Sequence, residues 1–213
     1  MSVYDKLFED SLIVKRVKNK LPHLFQLAEL ESSRNGKLGM EIGSVRERIL
    51  IALLMYKFGI DIVDPDIPIT APEIDVIVNN EPLSIKTLTC KNGRWMPVKL
   101  VWTVDARRAL EFKNNYIPSC DMLVAKICWG NEGKLLLFPQ EAQIDVLETI
   151  GKDKYIQLPK EGTNARGVEL TKEALFMLEN HKETKSIEVN FIREKMDYRE
   201  VYTKWLDAWY DEY

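Results

Sequence analysis

Asp75 and Lys86 are the residues in this sequence whose types and spacing point most directly to chemistry, with Ser84 two positions before the lysine. They flank Asn79-Asn80-Glu81-Pro82, a turn-forming run between two β-branched segments, 74–78 and 83–89, which predicts a hairpin. A turn centred between Asn80 and Glu81 sets Asp75 opposite Lys86 and Ile77 opposite Ser84. Paired residues share a sheet face and successive side chains alternate. Asp75, Ile77, Ser84 and Lys86 therefore occupy one face, and Val76, Val78, Leu83 and Ile85 the other. A carboxylate beside an ammonium suits phosphodiester hydrolysis. Asp75 and the backbone carbonyl of Ile85 would hold a divalent cation such as Mg²⁺ against the phosphoryl oxygens, and Lys86 would position or activate the water. The same two side chains also make an ordinary cross-strand ion pair, worth under about 1 kcal/mol when exposed. Spacing alone does not choose between these readings.

Other elements must position that pair. The first 30 residues carry Leu7, Leu12, Val14, Val17, Leu21 and Leu24 at helical spacing. Ser44-Val45-Arg46-Glu47 matches a capping box, and Gly59 is placed to end the helix that follows. Glu47 thus has two readings that are compatible, a cap carboxylate and a carboxylate aimed at the hairpin. Residues 103–114 read as helix, 122–129 and 134–138 as buried strands joined by a turn at Asn131-Glu132-Gly133, and 155–158 as a further strand. After a loop at 159–167, residues 171–180 read as helix, 187–191 is ambiguous, and the chain ends in a helix. Tyr198, Tyr202, Trp205 and Trp209 form a stripe on that last helix, as a core face would or, alternatively, a subunit interface. The fold class is α/β, a mixed β-sheet flanked by helices.

The order of these motifs resembles the PD-(D/E)xK nuclease superfamily over roughly residues 40 to 130. Pro72-Glu73-Ile74-Asp75 corresponds to its first element and Ser84-Ile85-Lys86 to its second, with serine where an acid is usual. Glu47 stands where many members carry a helix glutamate. The stretch Leu158–Leu170 is similar to segments of type II restriction endonucleases, ThaI-like ones in particular. The resemblance implies a restriction-endonuclease-like core at 41–130 within one nuclease domain, 1–213. A helical region, 1–40, would precede the core, and a DNA-recognition loop with the C-terminal helix would occupy 155–213. It implies Mg²⁺ as cofactor, Asp75, Glu47 and the Ile85 carbonyl as its ligands, and Glu47, Asp75, Ser84 and Lys86 as the catalytic set. Serine brings no charge to a metal, so a second acid is required; Glu47 is the first candidate, with Asp105 and Glu111 behind it. The implied substrate is a short, palindromic duplex DNA site cut by a homodimer. A structure-specific repair or junction-resolving nuclease and a catalytically decayed DNA-binding module are the rival readings.

Charge is informative only locally. The formal net charge is -3, so no global cationic field is present. Between Lys86 and Lys113, however, seven basic residues (Lys86, Lys91, Arg94, Lys99, Arg107, Arg108, Lys113) face two acidic ones (Asp105, Glu111), as a phosphate-binding groove requires. In the later loop, Asn164 and Arg166 are suited to read adenine and guanine edges, with Thr163 beside them. A solvated charge run and a polar turn are the plain alternatives. Two histidines rule out a His-cluster metal site, and Cys90, Cys120 and Cys128 read as small buried thiols in a reducing cytoplasm. The longest apolar run, 49–56, is too short to cross a membrane.

Overall fold

The computed structural model describes residues 2–34, 37–38, 41–68, 73–90, 93–159 and 167–210. Asp5–Glu9 (α1) and Ser11–Glu31 (α2) are separate helices, because Asp10 leaves helical geometry and its carboxylate caps the Leu12 and Ile13 amides. The buried face of α2 runs through Ile13, Val17, Leu21 and Phe25, whereas Leu12 and Leu24, expected inside, are exposed. A short pair, Ser33–Arg34 (β1) with Lys37–Leu38 (β2), follows. Ile42–Phe58 (α3) begins two residues before Ser44 and has no side-chain cap, so the expected capping box is not formed. Gly59 ends it as expected, at φ 101°.

The main sheet has six strands in the order Lys185–Phe191 (β11), Asn131–Phe138 (β8), Asp121–Ile127 (β7), Glu81–Thr89 (β5), Val76–Val78 (β4) and Val63–Asp64 (β3). Among the described residues of this sheet only the β5–β7 pair is parallel. Val98–Val101 (β6), Ile156–Gln157 (β9) and Val168–Leu170 (β10) form a second, three-stranded sheet. The remaining helices are Ala106–Asn115 (α4), Gln140–Ile150 (α5), Lys152–Tyr155 (α6), Lys172–Glu179 (α7) and Thr203–Tyr210 (α8). Alternation along the main sheet separates two cores. Val76, Val78, Leu83, Ile85, Leu123 and Leu135 pack under α2 and α3, while Leu88, Met122, Val124 and Leu136 pack under α7 and the small sheet. The expected α/β class, a mixed sheet flanked by helices, is what the chain adopts.

Several boundaries differ from expectation for identifiable reasons. The hairpin turn is Asn79-Asn80 alone, both residues at positive φ (51° and 65°), as a two-residue primed turn demands. β4 therefore pairs Val76 with Leu83 and Val78 with Glu81, not Asp75 with Lys86. The turn expected at 131–133 lies at 129–130 instead. Gly133 belongs inside β8, where a Cβ would sit 2.2 Å from the Lys126 carbonyl oxygen. β6 and α5 were not anticipated, and most of the strand expected at 155–158 is the end of α6 followed by two-residue β9. The ambiguous 187–191 stretch is strand β11.

Two further expectations are overturned. Cys90 and Cys128, at the ends of neighbouring β5 and β7, form a disulfide, leaving Cys120 as the free, buried cysteine. The aromatic stripe is not core: Trp209 is 87% exposed and Tyr202 49%, and Tyr198 and Tyr202 stand in a 3₁₀ turn before α8. Among the described residues no helix is long and apolar enough to cross a membrane.

Candidate active site

Strand β5 is the axis of the site. Its partner β4 ends at Val76, one residue beyond Asp75, while β5 continues alongside β7 to Thr89. The Asp75 amide still donates to the Leu83 carbonyl (2.9 Å), which fixes the aspartate at the mouth of the gap. The Asp75 Oδ2 atom accepts three hydrogen bonds, from the Ile85 amide at 2.6 Å, Lys86 Nζ at 2.8 Å and Ser84 Oγ at 3.3 Å. Since the Ile85 amide points into the gap, strand geometry sends the Ile85 carbonyl to the same side. The Lys86 side chain is 12% exposed and that of Asp75 30%.

The structure thus brings Asp75, Ser84 and Lys86 together, and the one-face expectation survives the change in register. Extending the observed pairing places Asp75 opposite Ser84 instead of Lys86; the partner moves by two residues, which keeps every side chain on its face. Lys86 then reaches Asp75 diagonally. Ser84 is 1% exposed and acts as a neutral donor to the aspartate.

Glu47 projects from the first half of α3 into a cleft of about 510 Å³ that Asp75 also lines, with Ser44 and Arg48. Without the capping box, its carboxyl is available to this cleft. Burial raises its pKa above the usual carboxylate range; the Lys86 ammonium pulls it down and the Asp75 carboxylate pushes it up. The next helical residue inward, Arg46, is committed elsewhere. It is 3% exposed and ion-paired with buried Glu29, which also accepts from Trp129 Nε1 (2.7 Å) and Arg193 (2.5 Å). That network, invisible in the sequence, ties α3, one residue from Glu47, to α2 and to the segment just after β11.

One acidic residue was not anticipated. Glu73, two positions before Asp75, has φ 69°, an uncommon conformation for a non-glycine residue. Its Oε2 accepts from Ser119 Oγ at 3.1 Å, and it lines a second cleft of about 530 Å³ with Arg108, Glu111 and Tyr116. Burial raises its pKa, against the pull of Tyr116, Ser119 and Lys86. The only signal in the sequence was its position in the segment preceding Asp75. Of the reserve acids, Asp105 is spent capping α4 through the Arg107 and Arg108 amides (2.8 and 3.3 Å). Glu111 faces the cleft of Glu73.

A cation fits this donor set in one manner. Among the described residues no three His, Cys, Asp or Glu side chains form a ready-made cage. All-oxygen donors from one or two carboxylates and a carbonyl nevertheless suit a hard divalent cation.

The basic candidates are distributed around this centre. Arg94, Arg107 and Arg108 are exposed. Lys99 on β6 stacks its ammonium over Trp102, 3.7 Å from the ring centre. Trp95, in place of a loose turn beside Arg94, is buried and donates to Glu179 at 2.5 Å. Thr163, Asn164 and Arg166 lie outside the described residues, as does Pro72. The far end of their loop is fixed, however: the Gly167 amide donates to the Thr103 carbonyl (3.0 Å). At φ 106°, a Cβ on Gly167 would meet the Val101 carbonyl at 2.5 Å and lie 3.6 Å from the Lys99 side chain. Gly167, the first described residue after the loop, therefore sits against Val101, Thr103 and the Lys99 side chain.

Comparison with known proteins gives a consistent result. The family described as "Restriction endonuclease ThaI" matches residues 7–211. A solved structure described as "Restriction endonuclease in complex with substrate DNA" is 47% identical, with a TM-score of 0.88, covering 98% of this chain and 99% of that one. No curated protein matches the sequence.

Proposed function

The chain belongs to the restriction endonuclease ThaI family and is a type II restriction endonuclease; from that premise we propose that it hydrolyses phosphodiesters of a short, palindromic duplex DNA site with Mg²⁺, as a homodimer, at the centre formed by Asp75, Lys86, Glu47 and Ser84. The observation that carries the assignment of the centre is the convergence of the Ile85 amide, Lys86 and Ser84 on one oxygen of Asp75 at the end of β4. In this reading the whole chain, 1–213, is one nuclease domain.

Bound Mg²⁺ supplies positive charge for the scissile phosphate, and Asp75, Glu47 and the Ile85 carbonyl are the oxygens that hold it. The Ile85 amide and Ser84 hydroxyl fix the direction of the Asp75 carboxylate, so that it need not reorganise as charge develops. Lys86 sits where an ammonium can hold a water by hydrogen bond and orient it toward phosphorus. Arg94, Lys99, Arg107 and Arg108 contact backbone phosphates, and Thr163, Asn164 and Arg166 read bases. The placement of the loop's end beside Lys99 supports that division of labour. A palindromic site calls for a two-fold dimer, and the exposed Tyr202, Leu206 and Trp209 offer it an apolar surface.

Digestion of supercoiled plasmid with and without Mg²⁺, followed by sequencing of the ends, is the test. Discrete fragments with a common terminal sequence, formed only with the metal, are expected. Nicking confined to branched or damaged DNA would select a structure-specific nuclease instead. DNA binding without cleavage would select a decayed enzyme.

A further inference from the structure

We propose that α8 is a docking arm that seats its apolar stripe in the groove between α2 and α3 of a second copy of this chain, each copy giving one arm and receiving one. This deepens the proposed function and rests on its homodimer reading, for which it names both surfaces.

The arm starts from a fixed base. Val201 is buried, and Asp197 caps the turn Tyr198–Tyr202 that leads into α8. Beyond that turn every described side chain of α8 is exposed. Its eight residues are too few for a helix to hold itself in water, where roughly 12–15 are needed. Leu206, Trp209 and Tyr210, at i, i+3 and i+4, share one exposed stripe, with Asp207 at its border. The charge is also wrong for a free helix. From 203 to 212 three acids, Asp207, Asp211 and Glu212, stand against one base, Lys204. The last turn holds no basic residue, although that is the end where the helix dipole favours cations. A helix so built needs an apolar seat with basic edges.

The groove between α2 and α3 is such a seat. It encloses about 290 Å³ over Leu24, Ile49, Leu53 and Tyr56, with Arg16 and Lys20 on its rim. Among the described residues no acid and no residue of α8 lines it. Leu24 and Tyr56 are exposed there, and the Arg16 guanidinium stacks over the Tyr56 ring, 4.8 Å from its centre. Charge selects the occupant. Two α8 helices packed on each other would crowd their acids together, whereas in the groove the acids meet Arg16 and Lys20. Reciprocal seating of two copies closes on itself with two-fold symmetry, as a palindromic site requires.

Sedimentation velocity of the full-length protein, with charge reversals on the two surfaces, tests this. Asp207→Lys should weaken dimerisation at least tenfold, as should the pair Arg16→Glu and Lys20→Glu. All three reversals in one chain should restore it to within threefold of the parent, a recovery that damage to the fold would not show. A combined variant no stronger than the separate ones overturns the inference. So does weakening by Asp207→Lys without weakening by the groove reversals, which would mean that α8 pairs with itself. If every variant dimerises like the parent, this placement falls and the homodimer reading stands on another face. A parent that is monomeric, both free and on a duplex bearing the cleaved sequence, removes both.

Discussion

Replacing Lys86 with methionine separates the chemistry of this centre from its stability. The substitution keeps the aliphatic stem and removes the ammonium 2.8 Å from Asp75. With side chains 12% and 30% exposed, the pair falls between a surface pair, worth under about 1 kcal/mol, and a buried pair, whose breaking costs roughly 3–5 kcal/mol. Asp75 also retains the Ile85 amide and the Ser84 hydroxyl, which lowers the expected loss to about 2 kcal/mol. For a chain of this size that is roughly 4–8 °C in Tm. Cleavage should fall far more, by about 10²–10⁴-fold if Lys86 orients or activates the water. The assays are thermal denaturation in metal-free buffer and plasmid cleavage with saturating Mg²⁺. Cleavage within threefold of the parent would remove Lys86 from the reaction. An unchanged Tm would show that the ion pair contributes nothing to the fold.

Three further outcomes are expected. Glu47 carries a pKa raised by burial above its ordinary 4.5, so the folded state holds its proton more tightly than the unfolded chain. The destabilisation grows as pH rises from 4.5 through the folded value and persists above it; Glu47→Gln should therefore raise the Tm at neutral pH, with the gain vanishing at acid pH and cleavage impaired. A lower Tm for this variant at pH 7 would contradict the burial argument. Gly133→Ala forces a Cβ against the Lys126 carbonyl and the Phe191 ring and should cost more than about 2 kcal/mol, measured by chemical denaturation; a near-neutral effect would mean the two strands separate easily. Arg166→Ala should weaken binding to the cognate site by roughly 1–3 kcal/mol relative to random duplex, read by competition gel shift, and equal loss on both DNAs would make Arg166 a phosphate contact.

The shared face of Asp75, Ser84 and Lys86 was legible because parity is robust. Moving the turn to Asn79-Asn80 shifts the partner of Asp75 by two residues and leaves the faces intact. The start of α3 was not legible, since a capping-box pattern reports four residues and not whether the chain before them is already helical. α5 was missed because Pro139 and three polar residues at its start resemble a loop. Its first amide is capped from a distance by Asp121 (Gln140 N to Oδ1, 2.8 Å), and Gln143 is buried against the Cys120 and Phe138 carbonyls (2.9 and 3.0 Å). Those partners exist only in three dimensions. The C-terminal stripe shows the same limit, for periodicity identifies a face and not what it meets. Glu73 was hidden for another reason: the hydroxyl that its carboxylate accepts from, Ser119, lies 46 positions away in sequence.

The early ending of β4 has a consequence for solubility. On the side away from β7, the part of β5 beyond Ile85 has no described strand beside it, and an open flank of this kind invites strand addition by a neighbouring chain. Asp75, Glu47 and Lys86 stand at that flank as guards against such pairing. Neutralising several of them together, a common way to trap an inactive nuclease on its target, would strip this protection and should be accompanied by a check for self-association.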